Sequence, residues 1–287
     1  MMPSVPSYLR VLGLLDGDAS DARCMETALA VAGHSGAQVV GILPQISAVA
    51  RLAWLAGVGG GVSADVVDAL EAAARERAGR ASKSVERARV AAGVPEAEHA
   101  VAFQEVQDFS IADAMAVAYA AADLLVCARP EVSSPEWEQA FQSTLIQGRL
   151  PCILARGAPI LSGRLAIAWD GGGPARRALH AAMPLVRAHG ALTLLCAPAA
   201  LSERQRQSAA PEDLCMLLQR QGIATHILPL IAEERIGEEL ISTAQMASVS
   251  LLICGAFGHA RAQEFLFGGA TKSFLAAEVG PSLLLAH

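Results

Sequence analysis

With 287 residues, of which 53% are apolar and 17% charged, the chain is long enough for two domains and apolar enough to fill two cores. A formal net charge of −6 offers no basic field to recruit phosphate backbones, which argues against nucleic acid or an anionic membrane surface as a partner. The longest alanine-rich stretch, "ADAMAVAYAAADLLVCA", is interrupted by Asp113 and Asp123, and the opening "MMPSVPSYLR" lacks the apolar core of a signal peptide, so a cytoplasmic protein without a membrane anchor is expected.

In chain order, the first signal is "LGLLDGDASDARCMETALAVAGHSGAQVVGIL", residues 12–43, where an apolar run ends at Asp16-Gly17 and a helix-like segment follows. Residues 55–63, "LAGVGGGVS", read as a loop. Its glycines lack the strand-loop-helix setting of a phosphate site. Residues 71–93 form a helix dense in charges of both signs, expected to carry a solvated face. The run "DLLVCA" from 123 and "PCIL" from 151 close the first half, and Gly and Pro cluster at the join "ARGAPILSGR", residues 155–164.

The second half then repeats the first. "AIAWDGGGPARRALHAAMPLVRAHGALTLLCA", residues 166–197, sets Asp170-Gly171 over Asp16-Gly17, Ala182 over Ala28 and Gly190-Ala191 over Gly36-Ala37 at a constant offset. "SLLICG" from 250 lies over "DLLVCA", and "PSLL" from 281 over "PCIL". Apolar runs at 164–169, 191–196, 224–229, 250–254 and 281–286 are nearly continuous, as in parallel strands covered on both faces. The intervening "PARRALHAAMPLVRAH" and "EDLCMLLQRQ" have three- and four-residue apolar spacing, with Pro174 suited to a first helical turn. The expected fold class is α/β: two tandem open sheets of five parallel strands, with helices on both faces, in domains 1–157 and 163–287. Ligands of such sheets bind beyond the carboxyl ends of the strands, where the strand order reverses.

Four glycines fall in the fifteen positions from Gly255 to Gly269, directly after the strand at 250–254 and before an apparent helix. The spacing Gly255-x2-Gly258-x9-Gly268 followed by Gly269-Ala270-Thr271 resembles the nucleotide loop of the universal stress protein family, of which tandem-domain members exist. The family continues after the third glycine with two hydroxyl residues; this chain lacks the first and keeps Thr271. The resemblance implies a Rossmann-like fold with strand order 3-2-1-4-5 and an adenine nucleotide, ATP or AMP, with or without Mg²⁺. It assigns the nucleotide to Asp170, Gly255, Gly258, Gly268, Gly269 and Thr271. It also implies a pseudo-dimer of the two halves, with a homodimer and a protein partner left open.

The residue chemistry is compatible with those roles, because glycine lets backbone approach a phosphate and an aspartate accepts hydrogen bonds from ribose hydroxyls. The alternative is that the glycines serve tight turns and helix–sheet packing, and that Asp170 merely starts a turn. In the first half Ala128, Glu131, Glu138 and Gln139 replace the glycines, so no phosphate loop is expected there, and Asp16-Gly17 reads as a turn left from it.

His259, Arg261 and Glu264 come with no nucleophile and no metal-ligand spacing, so catalytic and metal-binding residues are expected to be none. The expected role is a stress-response regulator or sensor, not an enzyme, with room for weak ATP hydrolysis. The alternative role is a scaffold without nucleotide. The six cysteines show no Cys-x-x-Cys pair and are expected to be buried, reduced thiols.

Overall fold

The computed structural model describes residues 7–57, 63–96, 100–130, 134–157, 159–197, 210–231, 236–256 and 280–287. The chain divides into two compact units, one spanning Tyr8–Leu150 and the other containing Pro151–His287.

The first unit contains β1 (Arg10–Leu14), α1 (Ser20–Gly33), β2 (Gln38–Ile46), α2 (Ala48–Gly57), α3 (Ala64–Ala91), β3 (Val101–Asp108), α4 (Ile111–Tyr119), β4 (Leu124–Ala128) and α5 (Pro135–Gln142), which runs on into a π-helical turn at Ser143–Gln147. Its strands lie in the order β3-β2-β1-β4, all parallel. The chain steps outward from β1 to β3 and then returns to the other side of β1, so the order reverses between β1 and β4. β4 is buried along its whole length, as its continuous apolar sequence requires. On α1, the buried Cys24, Ala28 and Val31 recur at four- and three-residue spacing and face the sheet.

The second unit contains β5 (Cys152–Ala155), β6 (Arg164–Ala168), α6 (Gly173–His189), β7 (Ala191–Cys196), α7 (Pro211–Gln219), β8 (Ala224–Pro229), α8 (Ile236–Met246), β9 (Val249–Gly255) and β10 (Ser282–Ala286). The order is β5-β10-β9-β6-β7-β8. Numbered within the repeat, β8-β7-β6-β9-β10 is the expected 3-2-1-4-5, and the first unit shows 3-2-1-4. The five apolar runs of the second half became strands within two residues of their expected bounds. β5 differs from the expectation of all-parallel strands: it runs antiparallel to β10, pairing Leu154 with Leu283 and Cys152 with Leu285. Both strands are apolar and fully buried, so the pairing covers what would otherwise be an open hydrophobic edge of β10.

Two expectations shift at the first unit's helices. Residues 55–57 belong to α2, while residues 58–62 of the expected loop lie outside the described residues. The charged helix begins earlier, at Ala64, and behind its solvated face runs a buried stripe of Ala78, Ala81, Val85 and Ala88. All six cysteines are buried and none forms a disulfide. Burial pushes the Cys196 and Cys254 thiols up to about 12 and raises those of Cys24 and Cys152 as well, so these four do not carry the thiolate that reactivity needs.

Candidate functional site at the strand ends

In the second unit the strand order reverses between β6 and β9, and Ile167 of β6 stands opposite Ile253 of β9. That register carries Asp170 and Gly255 to the same end of the sheet, at the reversal. Gly171 adopts φ +68°, a left-handed conformation that turns the chain sharply into α6. The Asp170 carboxylate accepts a hydrogen bond from the Gly172 amide at 2.8 Å, closing a side-chain turn ahead of the helix. Pro174 occupies the first turn of α6, where its missing N–H costs nothing. Trp169, beside Asp170, is buried and donates its backbone N–H to Leu195 O at 2.9 Å.

Gly255 is constrained by packing. A Cβ at this position would lie 2.5 Å from the Ala175 nitrogen and 2.6 Å from the Pro174 carbonyl carbon, so the first turn of α6 rests directly on the end of β9. Of the six residues assigned by resemblance, Asp170 and Gly255 are therefore brought together beside the N-terminus of α6. Gly258, Gly268, Gly269 and Thr271, with His259, Arg261 and Glu264, lie outside the described residues.

The matching place in the first unit is filled by the chain itself. Asp16 follows β1, and Gly17 turns at φ +76° as a turn residue should. The Asp16 carboxylate pairs with the Arg77 guanidinium, which also donates through Nε to Asp16 O at 2.8 Å. Ser134 Oγ donates to Asp16 Oδ1 at 2.9 Å, and Arg80 Nε donates to Gly17 O at 2.7 Å. A Cβ on Gly17 would come within 2.7 Å of Arg77 Cγ, so α3 lies tight against this turn. Beneath it, Asp21 is fully buried and accepts the Asp16 and Gly17 amides at 2.9 and 3.0 Å. Burial pushes the Asp21 carboxyl up to about 6, against the lowering effect of those two amides. Burial also raises Asp16, opposed by Arg77 and Ser134. Glu136 and Glu138 sit in the first turn of α5, which Ser134 caps by accepting the Trp137 amide at 3.1 Å.

Sequence reasoning recognised Asp16-Gly17 as a turn but missed Arg77, Ser134 and Asp21. The Ser134-Pro135-Glu136 pattern is a legible helix start. Arg77, 61 residues from Asp16, had no local signal. Among the described residues there is no cluster of His, Cys, Asp and Glu able to hold a metal, and no helix long and apolar enough to cross a membrane.

No protein-family model and no curated protein sequence matches the chain. Solved structures do. A universal stress protein from Archaeoglobus fulgidus DSM 4304 superposes with a TM-score of 0.63 at 14% identity, covering 96% of this chain and 97% of its own. A functionally unknown protein from Pseudomonas aeruginosa PAO1 gives 0.53 at 14% identity, over 97% of this chain and 93% of its own. A provisionally assigned universal stress protein from another Pseudomonas aeruginosa strain gives 0.53 at 15% identity, over 99% and 95%. Together with the strand order and the internal repeat, these likenesses establish that the chain has the universal stress protein fold.

Proposed function

We propose that the second unit binds one adenine nucleotide, ATP or AMP, and that the protein acts as a stress-response sensor or regulator in the cytoplasm. The observation that carries this reading is the convergence of Asp170 and Gly255 at the strand-order reversal, directly ahead of the segment with Gly258, Gly268, Gly269 and Thr271. The described part of the site suits an adenosine. Asp170 offers carboxylate acceptors for ribose hydroxyls or an adenine amino group, and the α6 N-terminus favours negative charge nearby. The glycines and Thr271 would hold the phosphates, and Mg²⁺ bound with them would neutralise phosphate charge.

No turnover is assigned to this site. Phosphoryl transfer to water needs an in-line phosphate and a positioned attacking water, and the chain supplies Thr271, Lys272 and Arg261 as phosphate-holding groups without an evident water-positioning partner. ATP is then released largely intact, with turnover well below about 10 per second.

A scaffold acting through a protein partner is the second reading. The packing of Gly255 against α6 favours it, because that glycine is explained without a ligand. Mass analysis of small molecules released by denaturing freshly purified protein separates the two. Co-purified ATP or AMP supports the sensor, whereas its absence, together with no binding of added nucleotide, leaves the scaffold. Phosphate release under excess ATP and Mg²⁺ near the enzymatic median, lost in Thr271→Ala, would instead establish an enzyme.

A further inference from the structure

α2 and the first half of α3 flank an open groove whose apolar lining has no cover among the described residues. α2, "AVARLAWLAG", has one charged residue in ten, yet from Ala48 to Trp54 none of its side chains is buried. A helix apolar on all sides is ordinarily enclosed. Leu52 is 37% and Trp54 71% exposed. On α3 a single stripe runs through Val67, Leu70, Ala74, Ala78, Ala81, Val85 and Ala88 at three- and four-residue steps. Its second half, from Ala78, is buried in the first unit. Its first half lines an open groove of about 250 Å³ shared with α2 and the carboxyl ends of β2 and β3. Among the described residues, the stripe thus continues past the point where its cover stops.

We propose that this groove is a self-association surface whose occupant is the same helical pair of a second copy of the chain. The spacing is that of a helix–helix seam, which calls for another helix. The charge pattern selects a copy of itself. The charged residues lining the groove are Arg51, Arg75, Glu71 and Glu105, two of each sign; Arg75 pairs with Glu71 within α3 at 3.8 Å, so a two-fold arrangement can set each copy's Arg51 against the other's carboxylates. Asp65, Asp68 and Glu76 would repel a second copy, but helical spacing places them on the opposite side of α3 from Val67, Leu70 and Ala74. Two helices abreast, each about 10 Å wide, over about 15 Å of length give a footprint on the order of 300 Å² per copy, below the about 800 Å² of a standard interface. The association is therefore weak and reversible.

The test is sedimentation of the full chain across about 5 to 500 µM, the range in which a weak interface titrates. The expected result is a shift from monomer toward dimer. Leu70→Glu and Leu52→Glu, both at exposed positions, should weaken it at least about tenfold, with unchanged circular dichroism verifying the fold. Arg51→Glu should weaken it, and adding Glu71→Arg should recover it. Asp68→Lys, on the far side of α3, should leave it unchanged. A wild-type chain that stays monomeric throughout, a dimer that survives both leucine variants, or a charge swap without recovery would overturn the proposal.

Discussion

Gly255 and Asp21 show how much a single position can decide. The space at Gly255 is bounded by the backbone of Pro174 and Ala175, which cannot move aside without lifting the first turn of α6. Gly255→Ala should therefore destabilise the protein by roughly 1–3 kcal/mol, as overpacking typically does, measured by chemical denaturation. Asp21 makes the first unit sensitive to pH. Its folded pKa, about 6, lies above the ordinary carboxyl value, so the stability it contributes is complete below about pH 4 and lost as pH rises through about 6. Asp21→Asn should flatten the stability–pH profile between those limits. It should also cost about 1–3 kcal/mol at acidic pH, because an amide cannot accept both the Asp16 and Gly17 N–H groups. A wild-type profile with no rise on acidification from about pH 6 to 4 would show that the carboxyl is not perturbed in this sense.

Elements were legible in the sequence wherever the signal was local. The strands of the second half announced themselves as short continuous apolar runs, and α6 as a three- and four-residue periodicity between Pro174 and Gly190. Gly190 ends α6 in a left-handed conformation, φ +78°, donating its N–H to Val186 O at 2.9 Å. A Cβ there would meet open space, so Gly190→Ala should cost about 1 kcal/mol from backbone strain alone. Elements whose placement depends on distant partners were not legible. β5 reads as a parallel strand of its own repeat, yet it lies antiparallel to β10, 130 or so residues away, because backbone pairing leaves no trace in composition. The start of α3 was missed for a related reason. Its first turns bury nothing, so no core enforces an apolar periodicity ahead of the charged run that follows. Ser134→Ala tests the sealed turn of the first unit at this scale. Losing both the α5 cap and the bond to Asp16 should lower stability by about 1–2 kcal/mol, and a neutral effect would mean that neither bond is formed in solution.

At the scale of the whole molecule, one sequence pattern was used twice, with different hydrogen-bond partners described at each turn. Both copies keep an aspartate and a left-handed glycine after the first strand. In the first unit Arg77, Ser134 and Arg80 occupy the space around that turn, whereas in the second unit Asp170 closes a two-residue turn onto Gly172. The loss of the glycines from the first copy led to the expectation that no phosphate loop forms there; the arginine that seals its turn was not legible. The proposed function depends on the asymmetry, since it restricts nucleotide to the second unit. Isothermal titration of ATP and of AMP into the full chain, beside the Gly268→Glu variant, tests this most directly. The account predicts one site per chain, abolished in the variant by the repelling carboxylate in the loop. Two equivalent sites, binding unchanged in Gly268→Glu, or no binding of either nucleotide would contradict it.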